Sequence, residues 1–343
     1  MTGSVGVSAN GGRVSCIGYP FDSEHRRAPC PALDACLSAR HTARVRQTVR
    51  NTRPQISAPR LPMQRSPPPP IPNLDADTVA GFGREWTSFD QCALEESELR
   101  AIFDQYFMLF PWQRLPTDAV GFDLGCGSGR WARLVAERVG KLHCIDASAA
   151  ALAVAQRSLA TRENCEFHHA GVDAMPLADA SMDFGYSLGV LHHVPDTAAG
   201  IASCVAKLKP GAPFLIYLYY AFDQRPAWFR GLWRVSDVLR RLLSRAPYGL
   251  RYAVSQVLAV SIYWPLARSA RWLEGRGHVV DGLPFKSFYI MRTDALDRFG
   301  TRLEQRFTRA AIAKMMIDAG LEDIRFCTSE PYWCALGLRR TKC

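Results

Sequence analysis

The stretch Phe122-Asp123-Leu124-Gly125-Cys126-Gly127-Ser128-Gly129-Arg130 decides the fold. An apolar run, AVGFDLG (119–125), leads into it, and a helical pattern over 130–139 leaves it. Glycines between a strand and a helix permit a tight turn and let a ligand approach the backbone at the helix start. The spacing is Asp-x-Gly-x-Gly-x-Gly, and Arg130 stands where a dinucleotide fingerprint has its third glycine. A carboxylate two residues before the first glycine repels a pyrophosphate. It suits a ligand with a cationic amino group.

Outward from this loop, short apolar runs alternate with helical patterns. The runs are 142–146, 165–171, 182–189 and 212–220, and the helix candidates are 149–160 and 198–208, with a Pro210-Gly211 turn before the last run. Alternation of this kind predicts a mainly parallel sheet with helices on both faces and ligands at the carboxyl ends of the strands. Asp146 closes the second strand, where a carboxylate can accept both ribose hydroxyls, and Asp173 follows the third, within reach of an adenine amino group. Acids at strand ends are also common turn residues. Three of them at successive strand ends fit a nucleoside bearing a cationic tail, with no phosphate needed.

The motifs FDLGCGSGR (122–130), CIDAS (144–148), GVDAMPL (171–177), MDFGYSLGVLHHV (182–194) and LKPGAPFLIY (208–217) together resemble a class I S-adenosylmethionine-dependent methyltransferase. The branch they are most similar to is the small-molecule one that includes the ubiquinone/menaquinone-type methyltransferases. The resemblance covers 82–225 well and 300–340 more loosely. It implies an α/β, Rossmann-like fold: a seven-stranded, mostly parallel sheet with helices on both faces and a helical insertion after the fifth strand. It also implies S-adenosyl-L-methionine as cofactor. Gly125, Cys126, Gly127 and Gly129 would line the methionine part, with Asp123 orienting the loop and the amino group. Asp146 would hold the ribose with Ala147 beside the adenine, Val172 and Asp173 would flank and recognise the adenine, and Leu188 and Gly189 would sit near the sulfonium. FGREWTSF (82–89) resembles an aromatic lead-in segment in which Trp86 and Phe89 cover the cofactor, although aromatic residues in such a place are often plain core.

Methyl transfer from a sulfonium needs mainly in-line positioning, and a general base only where the acceptor is a weak acid such as a hydroxyl. His192 and His193 follow the fourth strand on the ligand edge and are the base candidates; shaping the cofactor site is their other reading. Tyr217, Tyr219 and Tyr220 end the fifth strand, with Tyr217 and Tyr219 on one face. Tyr219 is the one singled out for contact with the acceptor, against simple packing.

The rest of the 343 residues sorts by composition. Residues 1–72 hold half of the prolines and no hydrophobic periodicity, so a disordered Pro/Arg-rich tail is expected. A targeting segment is the other reading, against which the neutral, non-amphipathic MTGSVGVSAN speaks; a mis-assigned start, with Met63 as one candidate, is equally compatible. Residues 82–225 form the expected core, preceded within it by an amphipathic helix over 94–110. Residues 226–300 read as an Arg- and Trp-rich helical insertion with two helical stretches parted by Pro247 and Gly249, the first placing Trp228, Phe229, Leu232, Trp233, Leu239 and Leu243 near one side, and 301–343 as a helix (308–319) and two strands that complete the sheet.

The net charge is +10, with +8 of it in 225–276 and +7 in 1–71, so the core itself is mildly acidic. A nucleic-acid-binding core is not expected. The insertion is read either as a cap, with its apolar face on the domain and its arginines in water, or as an element lying on a membrane surface. Eleven cysteines without CxxC pairs show no zinc spacing, so no metal is expected, and buried free thiols in a reducing compartment point to a cytoplasmic, or membrane-peripheral, protein. The expected acceptor is a small molecule or lipid-like. The competing readings are an NAD-dependent oxidoreductase and a non-catalytic cofactor-binding regulatory protein. Nothing in the sequence speaks to oligomeric state.

Overall fold

The computed structural model describes residues 72–91, 94–222, 225–276, 287–328 and 333–341. The expectations for the N-terminal tail therefore lie outside the described residues, apart from Pro72.

Seven strands form one sheet: β1 (Val120–Leu124), β2 (Lys141–Asp146), β3 (Cys165–His169), β4 (Phe184–Leu188), β5 (Pro213–Tyr217), β6 (Leu321–Phe326) and β7 (Cys334–Arg339). Their order is β3-β2-β1-β4-β5-β7-β6. The first five strands pair in parallel, while β7 runs antiparallel to both β5 and β6. The strand order reverses beside β1, between β2 and β4. In such sheets the crevice above that reversal binds ligands, and the loop at 125–129 lies there.

Ten helices accompany the sheet among the described residues: α1 (Ala76–Ser88), α2 (Glu96–Tyr106), α3 (Ala132–Val135), α4 (Ala149–Ser158), α5 (Thr197–Lys207), α6 (Ala227–Leu243), α7 (Tyr248–Leu258), α8 (Trp264–Glu274), α9 (Phe288–Gly300) and α10 (Arg309–Asp318). Alternation along β1 sorts the core. Phe122 and Leu124 join Phe214, Ile201 and Ile312 on one face, whereas Phe103, Phe107, Trp131 and Tyr186 pack on the other. Asp123, between Phe122 and Leu124, is thereby turned toward the Tyr186 side.

Three boundaries differ from the sequence reading. Order begins before Phe82: the Asp75 carboxylate accepts from the Thr78 amide and starts α1 at Ala76. The helix after the glycine loop is only four residues long, because the chain then tightens to bonds spaced three apart, such as Arg138 N–H to Val135 O. The insertion holds four helices instead of two. α7 continues into α8 through a π turn at Ala259–Tyr263. The fourth, α9, packs on α1, α6 and α7, and its mixed sequence FYIMRTDALDRFG hid it.

Candidate active site

The glycine loop is held open by its own geometry. Gly125, Gly127 and Gly129 all have positive φ (76°, 55° and 81°). A Cβ at Gly125 would stand 2.3 Å from Val190 Cγ2, and one at Gly127 would stand 3.0 Å from the Trp86 ring. The amides of Gly125 and Cys126 both donate to Ile145 O, at 2.7 and 3.1 Å, which ties the loop to the end of β2. The next residue, Asp146, accepts Gly127 N–H on one carboxylate oxygen (2.9 Å) and Ser148 N–H on the other (2.8 Å). A carboxylate offers about four lone-pair positions, so two remain for a ligand. Burial raises the pKa of Asp146, and these two amides work against that rise.

Above the loop lies a cavity of about 120 Å³. Its walls include Gly125, Asp146, Ala147, Val172, Leu188, Gly189, His193 and Trp86, which are eight of the residues singled out in the sequence. α1 supplies the roof: Thr78, Phe82 and Trp86 recur every four residues on the face turned to the cavity. Gly83, on the same helix, lies against Ser148 so closely that a Cβ would sit 2.5 Å from its hydroxyl. Phe89 faces elsewhere; it is buried between Tyr252 and Tyr289 and belongs to the core.

Seven sequence candidates lie outside this wall, among them Gly127, which faces the Trp86 ring, and Tyr219. Asp173 is exposed and accepts the Asn73 amide (2.9 Å), so it steers the 73–75 segment over the cavity. Gly129 packs on Leu159 and Ser158. Cys126 is buried beside Cys144, and burial helps to push its thiol up to about 11. Asp123 is buried against Tyr186, its Oδ2 has no partner among the described residues, and burial pushes its carboxyl up to about 8. A buried carboxyl with an unused oxygen next to a glycine cradle fits a ligand that brings a positive charge. His192 is also outside the wall.

The two histidines separate. His192 is fully buried, its ring stacks on Tyr219 at 3.8 Å, and neither ring nitrogen has a partner among the described residues. Burial holds its pKa well below the usual range, so it is a neutral packing residue. His193 borders the cavity. Its Nδ1–H donates to Leu303 O (2.7 Å), and its buried Nε2 lone pair has no partner among the described residues.

A second chamber, of about 330 Å³, opens on the other side of Leu188 and Gly189 and shares Phe82 and Trp86 with the first. Tyr217, Tyr219 and Tyr220 line it, as do three acids that sequence reading missed: Glu85, Asp294 and Asp297. Tyr219 O–H donates to Asp297 Oδ2 at 2.5 Å. Burial, with the charges of Asp297 and Asp294, raises Glu85 well above the usual carboxyl range, and burial, with Glu304 and Asp294, raises Asp297. Arg298 and Arg306 converge on Glu304 Oε1, each at 2.8 Å, and form part of the floor. Glu85 was legible in principle, since it stands on the buried face of an amphipathic helix, three residues after Phe82. Asp294 and Asp297 belong to α9, which the sequence did not announce. Away from both cavities, ligating atoms of His143, Glu166 and His168 lie within 4.8 Å of one another on β2 and β3, a grouping no spacing motif signals.

Residues 122–216 match the family model described as a methyltransferase domain. Over 100 residues the chain is 34% identical to phosphoethanolamine N-methyltransferase 2 of Caenorhabditis elegans, covering 28% of this chain and 23% of that protein. It is 29% identical over 151 residues to a ubiquinone biosynthesis O-methyltransferase of Hahella chejuensis, covering 42% and 61%. It is 37% identical over 92 residues to one of Alkalilimnicola ehrlichii, covering 26% and 37%. The chain thus spans less than two thirds of the length of each of these relatives.

Proposed function

We propose that this chain, whose residues 122–216 match a methyltransferase domain, is a class I S-adenosylmethionine-dependent methyltransferase that moves a methyl group onto a small-molecule or lipid-like acceptor held in the second chamber. One observation carries the reading. The cavity above the glycine loop and the aromatic, acid-lined chamber share a wall at Leu188 and Gly189, at and just after the end of β4. A donor on one side and an acceptor on the other would meet there.

S-Adenosylmethionine, when bound, supplies an electrophilic methyl group on a sulfonium. Asp146 holds the ribose hydroxyls on its two unused lone pairs. Ala147 and Val172 would flank the adenine, and Asp173 holds Asn73 beside that part of the cavity. Asp123, Gly125 and Gly127 receive the methionine part, with Trp86 as the lid. Positioning of the two reactants in line can account for as much as about 7–11 kcal/mol in favourable cases. The rings of Trp86, Tyr217 and Tyr219 would stabilise the positive charge that the donor brings. For a hydroxyl acceptor that reaches the shared wall, the Nε2 of His193, on the donor side of that wall, would take the proton, since Leu303 O holds the other nitrogen protonated. Tyr219 orients the acceptor while Asp297 fixes its hydroxyl.

The test has two stages. Calorimetric titration of S-adenosylmethionine and of NADH separates methyl transfer from an oxidoreductase: binding of the first and silence with the second is expected. Transfer of labelled methyl from S-adenosylmethionine into a lipid extract, with mass spectrometry of products that gain one CH2, then separates an enzyme from a non-catalytic binding protein. Binding of NADH alone would overturn the proposal.

A further inference from the structure

The apolar residues of α6 do not form the single face that its sequence suggests. Phe229, Trp233, Arg240 and Leu243 turn inward with Asp237, whose carboxylate holds Arg240 at 2.7 Å. Trp228, Leu232, Val235, Leu239 and Leu242 form a second stripe, spaced four, three, four and three, and it points away from the domain. Trp228, Val235 and Leu242 are 70%, 69% and 65% exposed. Arg230, Arg234 and Arg245 make a third, exposed stripe beside it. The run from α7 to α8 repeats the pattern, with Leu250, Val257, Val260 and Trp272 exposed among Arg268, Arg271 and Arg276. Arg276 lies over the Trp272 ring at 3.3 Å. The cap reading accounts for the inward stripe alone.

Exposed apolar area of this extent needs an occupant. The charge around it selects one. Residues 225–276 carry ten arginines and two acids, and one of the acids, Asp237, is buried. A second copy of this chain, docked about a two-fold axis, would set arginine stripe against arginine stripe. An anionic lipid surface answers both features at once, with acyl chains for the apolar stripe and phosphates for the guanidiniums. None of these helices is long and apolar enough to cross a membrane, so the arrangement lies along the surface.

A groove of about 510 Å³ separates α6 from the π turn and α8. Leu232, Ile262 and Leu266 stand at its exposed rim, and Met291 and Phe299 are buried at its depth. It runs to Asp294 and Arg298, which also border the chamber that holds Tyr219.

We propose that residues 226–276 dock the protein on an anionic lipid surface through the outward stripes of α6 and α7–α8, with the groove between them opening onto that surface. The docking stands independently of the chemistry. The groove's service as the acceptor's entrance rests on the methyl-transfer reading.

The experiment uses the full chain and vesicles of phosphatidylcholine alone or mixed equally with phosphatidylglycerol. Co-sedimentation should show roughly tenfold or greater preference for the anionic vesicles, lost at high salt. The triple variant Val235→Glu, Leu239→Glu, Leu242→Glu changes only exposed positions. It should stay in the supernatant while keeping its melting temperature and its affinity for S-adenosylmethionine. The double variant Arg230→Gln, Arg234→Gln should lose the preference for anionic vesicles while keeping its fold. Wild-type protein that remains in the supernatant, or a triple variant that pellets like wild type, overturns the docking. So does a wild-type dimer that the triple variant converts to monomer without any vesicle binding. Vesicle binding without S-adenosylmethionine binding would instead remove the methyl-transfer reading and leave the docking in place.

Discussion

Replacing Asp146 by Asn tests the centre of the site, because the two side chains have the same shape and differ in what they accept. In the native protein one carboxylate oxygen takes Gly127 N–H and the other takes Ser148 N–H. An Asn oxygen can serve one of these amides. Its NH2 group then faces the other, donor against donor. The fold should lose one charge-assisted hydrogen bond, worth about 1.5–3 kcal/mol. The ligand loses separately, because an acceptor for a ribose hydroxyl becomes a donor and the charge is gone. A further loss of about 1–3 kcal/mol follows, which is roughly 5- to 150-fold in Kd. Calorimetric titration with S-adenosylhomocysteine measures the second loss, and amide hydrogen exchange at Gly127 and Ser148 measures the first. Faster exchange at these amides with an unchanged Kd would refute the ribose assignment and leave Asp146 as a strut for the loop.

Other outcomes follow from neighbouring geometry. Gly125→Ala forces a non-glycine residue to φ 76° and drives its Cβ into Val190; cofactor binding should fall below detection by calorimetry while far-UV circular dichroism stays native. Asp123, raised to about 8 by burial, holds a proton in the folded state that the unfolded chain releases above its ordinary value. Native stability should therefore decline as pH rises through that window, by at most about 1.4 kcal/mol per pH unit, and Asp123→Asn should flatten the decline in urea melts from pH 5 to 9. Binding of a cationic ligand near Asp123 at pH 7 should also release close to one proton, read as a dependence of binding enthalpy on the buffer's ionisation heat. Tyr219→Phe removes the hydroxyl held by Asp297 and should lower kcat without moving the cofactor Kd, as single-turnover kinetics would show.

Much of this molecule was legible from local pattern. The alternation of apolar runs with helical spacing is a property of neighbouring residues, so the five parallel strands and their connections could be read directly. The glycine loop was equally legible, because positive φ at Gly125, Gly127 and Gly129 is a backbone requirement that few other residues meet. Asp146, Ala147, Val172, Leu188 and Gly189 come to one cavity because each closes or follows a parallel strand, and parallel strands end on one edge.

The tertiary structure alone decided what depends on packing between distant segments. His192 and His193 are adjacent in sequence, yet one is sealed under Tyr219 and the other reaches the cavity, since Leu303, 110 residues away, captures its Nδ1. Glu85, Asp294 and Asp297 share a chamber because α9 docks on α1, and no spacing rule links those helices. The apolar residues of α6 formed one face on paper and became two in space. A helix records in its sequence how its residues divide around the axis, whereas which of those sides finds the domain and which finds something else is settled by the elements packed against it.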